Sequence, residues 1–143
     1  MKLKALVVDD EFNARSNLKL LLDEFCPEID VLDTAESAED ARAKIEKHNP
    51  EVLFLDIAMP NEDGFALLKS IPERNFSVVF TTAYNEFALK AFKANAIDYI
   101  EKPISIEDLQ NATKKLLKIH GSSEQRSSGE INEFIEKVIE PKA

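Results

Sequence analysis

Polar, chemically capable residues stand where apolar runs stop. "LKALVV" (3–8) gives way to Asp9, Asp10 and Glu11, and "FLDIAMPNEDG" (54–64) breaks its apolar run with Asp56. "SVVFTT" (77–82) ends in Thr81 and Thr82, and "DYIE" (98–101) leads straight into Lys102 and Pro103. Each has an ordinary reading on its own. A short carboxylate after an apolar run satisfies loose backbone N–H groups in the next turn. Asp9 or Asp10 can cap a helix and face its dipole, and Lys102 can be a solvated lysine before a turn. As a set they suggest different chemistry. Carboxylates crowded within a few ångströms repel one another and raise their pKa values unless a cation is bound, and a hard divalent ion with oxygen ligands is the natural occupant. Magnesium fits, because it keeps several waters and takes one or two carboxylates plus phosphate oxygens. A lysine beside a metal-bound phosphoryl group supplies a point charge.

That convergence requires elements that bring the four segment ends together. After "LKALVV", the stretch "EFNARSNLKLLLDEF" carries Ala14, Leu18, Leu21, Leu22 and Phe25 at helical spacing. "IDVLDTA", "EVLFLD", "SVVFTT" and "DYIE" read as further strands. "SAEDARAKIEKH", "GFALLKSI", "EFALKAFKANA" and "SIEDLQNATKKLLK" read as the helices between and after them. Ser37 with Asp40, and Ser105 with Asp108, resemble capping boxes, and Ile106, Leu109, Thr113 and Leu116 share a face of the last helix. Strict alternation of strand and helix predicts an α/β fold: a doubly wound, five-stranded parallel sheet with right-handed crossovers and helices on both faces. The near-continuous apolar strands, first, third and fourth, belong at its centre. In such folds the functional crevice lies beyond the carboxyl ends of the strands, where the strand order reverses. Asp9, Asp10, Asp56, Thr82 and Lys102 would all lie there.

Composition excludes several classes. At 143 residues the chain can bury a core without covalent staples. Its single cysteine, Cys26, rules out an internal disulfide and reads as a small buried or half-buried hydrophobe in a reducing compartment. No stretch approaches the roughly 20 apolar residues of a membrane span, and no signal-peptide block opens the chain, so a cytoplasmic protein without membrane contact is expected. A net charge of -9 repels a phosphate backbone, so no direct binding of nucleic acid is expected.

"VVDDE", "FLDIAMPNEDG", "FTTAY" and "DYIEKP", in this order and on these elements, resemble the receiver domain of a two-component response regulator, across roughly residues 3 to 118. The resemblance implies a flavodoxin-like sheet of strand order 2-1-3-4-5. It implies that Asp56 is the phosphoacceptor, served by a sensor histidine kinase. Asp9, Asp10, Asp56 and the backbone carbonyl of Ala58 would hold Mg2+, Thr82 and Lys102 would contact phosphoryl oxygens, and the Lys102–Pro103 peptide bond would be cis. Thr82 and Tyr99 would be the switch pair, with Tyr99 turning inward on phosphorylation. The surface of the fourth helix, last strand and last helix would then support a homodimer. "FTTAYNEFALKAFKANAIDYIEKPIS" further resembles receivers that precede LytTR-type DNA-binding domains, implying transcription regulation through a domain outside this chain. Such a receiver accepts phosphate rather than acting as an enzyme on a separate substrate.

The expected organisation is a receiver over 1–119, a Gly/Ser-rich linker over 120–130, and a short helix over 131–143 whose Ile131, Phe134, Ile135, Val138 and Ile139 form one apolar stripe. His48 and His120 are expected to be solvated surface residues away from the crevice. Three rivals share parts of the pattern. An aspartyl-nucleophile phosphatase of haloacid dehalogenase type needs a second acid two residues after the nucleophile, where this chain has Ala58. A flavodoxin-like FMN binder would meet repulsion from Asp9, Asp10 and Glu11. A constitutive dimerisation module would not need the acid, hydroxyl and lysine set.

Overall fold

In the computed structural model, residues 2–121 are described. The expected linker beyond Gly121 and the helix over 131–143 lie outside them. The elements follow one another as β1 (Leu3–Val8), α1 (Phe12–Phe25), β2 (Ile29–Ala35), α2 (Ala38–His48), β3 (Val52–Asp56), α3 (Gly64–Lys69), β4 (Ser77–Thr82), α4 (Ala88–Lys93), β5 (Asp98–Glu101) and α5 (Ile106–His120). All strand pairs are parallel and the order is β2-β1-β3-β4-β5. β1, β3 and β4 occupy the centre, as their apolar runs require, and every residue of β3 and β4 is buried.

Side chains alternate across a strand, so the sheet has two cores. Leu6, Val8, Leu53, Leu55, Val78 and Phe80 pack with Ala38 and Ala41 of α2, Leu67 and Leu68 of α3 and Ala91 of α4. Ala5, Val7, Val52, Phe54 and Val79 pack on the other face with Leu18 and Leu22 of α1 and Leu109, Ala112 and Leu116 of α5. Cys26 belongs to this second core and is buried. Burial raises its thiol pKa, in keeping with an apolar role.

Local signals explain most helix ends. Ser37 Oγ accepts the Asp40 N–H at 3.1 Å, while the Asp40 carboxylate reaches the Glu36 N–H at 3.2 Å, one residue earlier than a regular capping box. Ser105 Oγ accepts the Asp108 N–H at 3.0 Å. Asn49, with φ 48°, closes α2 in the left-handed region. Three expectations are corrected. α4 is only Ala88–Lys93, because the chain turns out of the helix at Ala94 and Asn95 takes a left-handed φ of 64°. Ile106, at the first turn of α5, is 39% exposed, and Ala112 supplies the buried face in its place. His48 and His120 are half-buried and partnered: His48 Nε2 lies 3.1 Å from Asp33 Oδ2 and His120 Nε2 2.9 Å from Ser77 Oγ. Both are away from the carboxyl ends of the strands.

Candidate functional site

The carboxyl edge of the sheet gathers the polar residues because β1, β3, β4 and β5 run parallel and end at one level. The register puts Asp56 beside Thr81 across β3 and β4, and Thr82 beside Glu101 across β4 and β5. The Lys102 N–H then bonds the Thr82 carbonyl at 2.7 Å, which holds the segment after β5 against the end of β4. The Lys102–Pro103 peptide bond is cis.

Asp9 is buried and fully engaged. Its Oδ1 accepts the Glu11 N–H at 3.0 Å, tying down the turn that starts α1. Its Oδ2 accepts from Lys102 Nζ at 2.7 Å, and Arg15 of α1 donates to its backbone carbonyl at 2.8 Å. Asp56 is also buried, with Lys102 Nζ 3.7 Å from its Oδ2. Each of Asp9, Asp10 and Asp56 offers a carboxylate oxygen within 4.8 Å of the others. Glu11 stands exposed at the start of α1 and is not one of that group, although its charge is felt by Lys102.

The electrostatics follow from three acids sharing one base. Burial, with the neighbouring charge of Asp9, pushes the Asp56 carboxyl up to about 7, and Lys102 offsets only part of this. For Lys102, burial works against the charged form. The hydrogen bond it donates to Asp9 and the charges of Asp56 and Asp9 outweigh it, and the ammonium pKa is raised. A lysine charged at all physiological pH therefore faces a carboxyl group that gains a second neutralising influence either by binding a proton or by binding a cation. The donor set, oxygen only and carboxylate-rich, suits a hard divalent ion such as Mg2+.

Gly64, which sequence reasoning passed over, closes the loop after β3. Its N–H bonds the Ile57 carbonyl at 2.9 Å, and a Cβ there would stand 2.6 Å from the Asp56 backbone oxygen. Only glycine lets α3 begin this close to Asp56. The "EDG" turn ahead of an apolar helix was the available signal, with Asp63 capping α3 through the Ala66 N–H at 2.8 Å. Arg15 was also passed over, since a polar residue within a helix has no sequence mark of what it touches.

The response regulator receiver domain family matches residues 5–114. The chain belongs to that family. An uncharacterized response regulatory protein of Vibrio cholerae is 43% identical over 123 residues, 85% of this chain and 52% of that protein. The sensory transduction protein LytT of Bacillus subtilis is 38% identical over 120 residues, 82% of this chain and 49% of that protein. The receiver thus spans about half the length of the curated relatives it matches, and the LytT relatives agree with the LytTR-type resemblance. Among solved structures, the receiver domain of AraT from Geobacillus stearothermophilus aligns at 30% identity with a TM-score of 0.74, covering 87% of this chain and all of that one. The response regulatory domain of mrkE from Klebsiella pneumoniae aligns at 30% identity and TM-score 0.73, covering 80% and 95%.

The receiver's Thr82 is fully buried, and its Oγ1 accepts the Tyr84 N–H at 3.2 Å. Tyr99 is 5% exposed and donates its hydroxyl to the Tyr84 carbonyl, so its ring is already inside rather than waiting to turn inward. Burial pushes this phenol up to about 12, which keeps it a neutral donor. Tyr84 itself is half exposed and stacks edge-on against Phe87, with ring centroids 6.1 Å apart. Among the described residues no helix is long and apolar enough to cross a membrane.

Proposed function

We propose that this receiver is a phosphorylation switch in which Asp56 takes a phosphoryl group from the phosphohistidine of a sensor histidine kinase. An Asp56 carboxylate oxygen forms the new P–O bond as the donor's P–N bond breaks, giving an acyl phosphate and a neutral histidine. The observation that carries this reading is the grouping of Asp9, Asp10 and Asp56 within 4.8 Å, with Lys102 Nζ 3.7 Å from Asp56, at the ends of different strands. Bound Mg2+, held by Asp9, Asp10, Asp56 and the Ala58 carbonyl, would neutralise phosphoryl oxygens and the acid repulsion. The chain's own residues do the rest: the end of β3 fixes the nucleophile in line, Lys102 supplies a fixed positive charge, and the Thr82 hydroxyl supplies a donor.

The switch would run through Thr82 and Tyr99. Thr82 Oγ1 now holds the Tyr84 N–H, and Tyr99 holds the Tyr84 carbonyl. A phosphoryl group that draws the Thr82 hydroxyl toward itself releases one of these two ties. A ligand shifts a two-state equilibrium only through contacts that differ between the states, and this exchange is such a difference. Because Tyr99 is already buried, the change falls on the Tyr84 segment and the exposed side of α4, where Leu89 is 53% exposed. The output is a homodimer through the surface of α4, β5 and α5, which an attached domain converts into transcription control. Direct DNA contact by this acidic chain is not part of the reading.

Intact mass after incubation with a small phosphodonor and magnesium tests the proposal. One acid-stable, base-labile phosphoryl group per chain is expected, absent in Asp56→Asn. Steady release of phosphate from an ester substrate would instead favour a phosphatase. Thr82→Ala should accept phosphate yet fail to dimerise in sedimentation experiments, and a wild-type dimer shift in that variant would refute the coupling.

A further inference from the structure

The segment Ile57–Asp63 joins β3 to α3 and carries Ala58. Two of its backbone bonds are internal, the Met59 N–H to the Ile57 carbonyl at 3.1 Å and the Glu62 N–H to the Pro60 carbonyl at 2.8 Å, while the Gly64 and Leu67 N–H groups of α3 bond the Ile57 and Asp63 carbonyls at 2.9 and 3.1 Å and the Ala58 N–H bonds the Asp56 carboxylate. Asn61 takes a left-handed φ of 69°, and Ala58, Pro60, Asn61 and Asp63 are exposed. These bonds fix the two ends of the loop and fold its middle, residues 59–62, on itself. Ile57 and Met59, both buried in the core on the α2–α4 face, anchor its first half.

A second anchor comes from α2. Arg42 Nη1 donates to Glu62 Oε2 at 2.6 Å and Arg42 Nη2 to Glu62 Oε1 at 2.7 Å, a two-bond fork. The same Nη1 lies 3.2 Å from Ser70 Oγ, and Ser70 bonds the Leu67 carbonyl at 2.6 Å at the end of α3. One guanidinium therefore holds the residue before the cap of α3 and the residue that ends it. A planar fork fixes orientation as well as proximity, which a point charge cannot do. The hydrogen bond from Arg42 holds the Glu62 carboxyl below its usual range, so the pair is charged across physiological pH.

We propose that Arg42 and Glu62 are a positioning pair for the divalent-cation site, holding the β3–α3 loop so that the Ala58 carbonyl is presented before the cation arrives. This rests on the cation reading of the crevice given above. Neither residue reaches the acid cluster. Their effect runs through the loop, by removing conformations that the cation would otherwise have to order on binding. Both side chains are about a third exposed, so their loss changes global stability little while it frees the loop.

The test is a magnesium titration of the whole chain at low ionic strength, on wild type, Arg42→Ala, Glu62→Ala and the double variant. Amide hydrogen exchange over residues 58–64 is measured on the same proteins without metal. Each single variant is expected to bind Mg2+ about two- to fivefold more weakly, the range set by a partly exposed ion pair, and to exchange its loop amides faster. The double variant should be no weaker than the weaker single, because the two act as one unit. Arg74→Ala is the control. Arg74 ties the Leu68 and Ala94 carbonyls at 3.1 and 2.9 Å, so its loss should lower stability and leave magnesium affinity unchanged. Single variants with wild-type affinity, additive effects in the double, or an equal loss in Arg74→Ala would overturn the positioning role. A wild-type chain that binds no magnesium would overturn the cation reading itself, which separates the two failures.

Discussion

Two buried aspartates sit at opposite edges of the same sheet. Asp98 opens β5 and is fully buried, and Asp56 closes β3 at 4% exposure. Both face a lysine. Asp98 has Lys115 of α5 at 3.4 Å for one oxygen and the Tyr99 N–H at 2.8 Å for the other, which balances one acid with one base. Asp56 shares Lys102 with Asp9, which holds the lysine a full ångström closer, and has Asp10 as a further acid neighbour. Burial alone therefore does not mark a candidate site acid. A surplus of acid over base does, at the edge where parallel strands end.

The largest test of that contrast is chemical. Asp56→Asn should lose phosphoryl acceptance completely, from one group per chain to none, whereas Asp98→Asn should still be labelled to the same extent. Intact mass on both variants decides it. Labelling of Asp56→Asn at the wild-type rate would move the nucleophile elsewhere.

Stability should divide the pair in the opposite direction. Removing Asp98 leaves Lys115, itself only 20% exposed, without its counter-charge against β5, so Asp98→Ala should cost roughly 2–3 kcal/mol in urea unfolding, short of a fully buried pair because the lysine can reach water. Asp56→Asn should stabilise the metal-free chain at pH 8 by on the order of 1–3 kcal/mol, as neutralising a raised carboxyl does. The sign follows from its pKa of about 7 when folded against 3.8 as the ordinary value. Between these two values the folded chain keeps a proton that the unfolded chain has released. Stability therefore falls as pH rises through this window, and the penalty is complete above about pH 7. Unfolding in EDTA at pH 5 and pH 8 should show this slope in wild type and in Asp98→Asn, and a flatter one in Asp56→Asn. An equal slope in all three would remove Asp56 as its source.

The carboxyl-edge site was legible from sequence because it is built from strand ends. Strands 1, 3 and 4 are short apolar runs with clear stops, β5 runs straight into Lys102, and a parallel sheet lines those ends up, so Asp9, Asp56, Thr82 and Lys102 could be placed at one edge from the sequence. Long-range side-chain ties were not legible. Lys115 to Asp98 spans from helix to strand with nothing local to announce it, and the Arg42–Glu62 fork joins residues 20 positions apart. The helix faces were read a little too generously for a related reason: Ile106 has the right period but sits on the first turn of α5, where it is 39% exposed. Asn95 ended α4 early because a left-handed asparagine is permitted by its side chain rather than demanded by it. The inward ring of Tyr99 belongs to the same class. Strand alternation puts Tyr99 on the face shared with α4, but only the Tyr84 carbonyl, brought near by the turn after β4, fixes where its hydroxyl goes.

Magnesium should give the smallest and most selective effect. An ion held by the folded crevice and not by the dispersed carboxylates of the unfolded chain should, at ten times its dissociation constant, add about 1.4 kcal/mol, or roughly 5 °C in melting temperature for a domain of this size. The increment should be larger at pH 8 than at pH 6, because below about pH 7 a proton on Asp56 competes with the cation for the same carboxyl. Asp98→Asn should keep the whole increment despite its lower starting stability, and Asp9→Asn should lose most of it. A scan of melting temperature against free magnesium at both pH values separates these outcomes. A pH-independent increment would mean that the ion binds without displacing the Asp56 proton, and an increment that survives Asp9→Asn would place it outside the crevice, where it would no longer distinguish the acid-rich edge of the sheet from the balanced one.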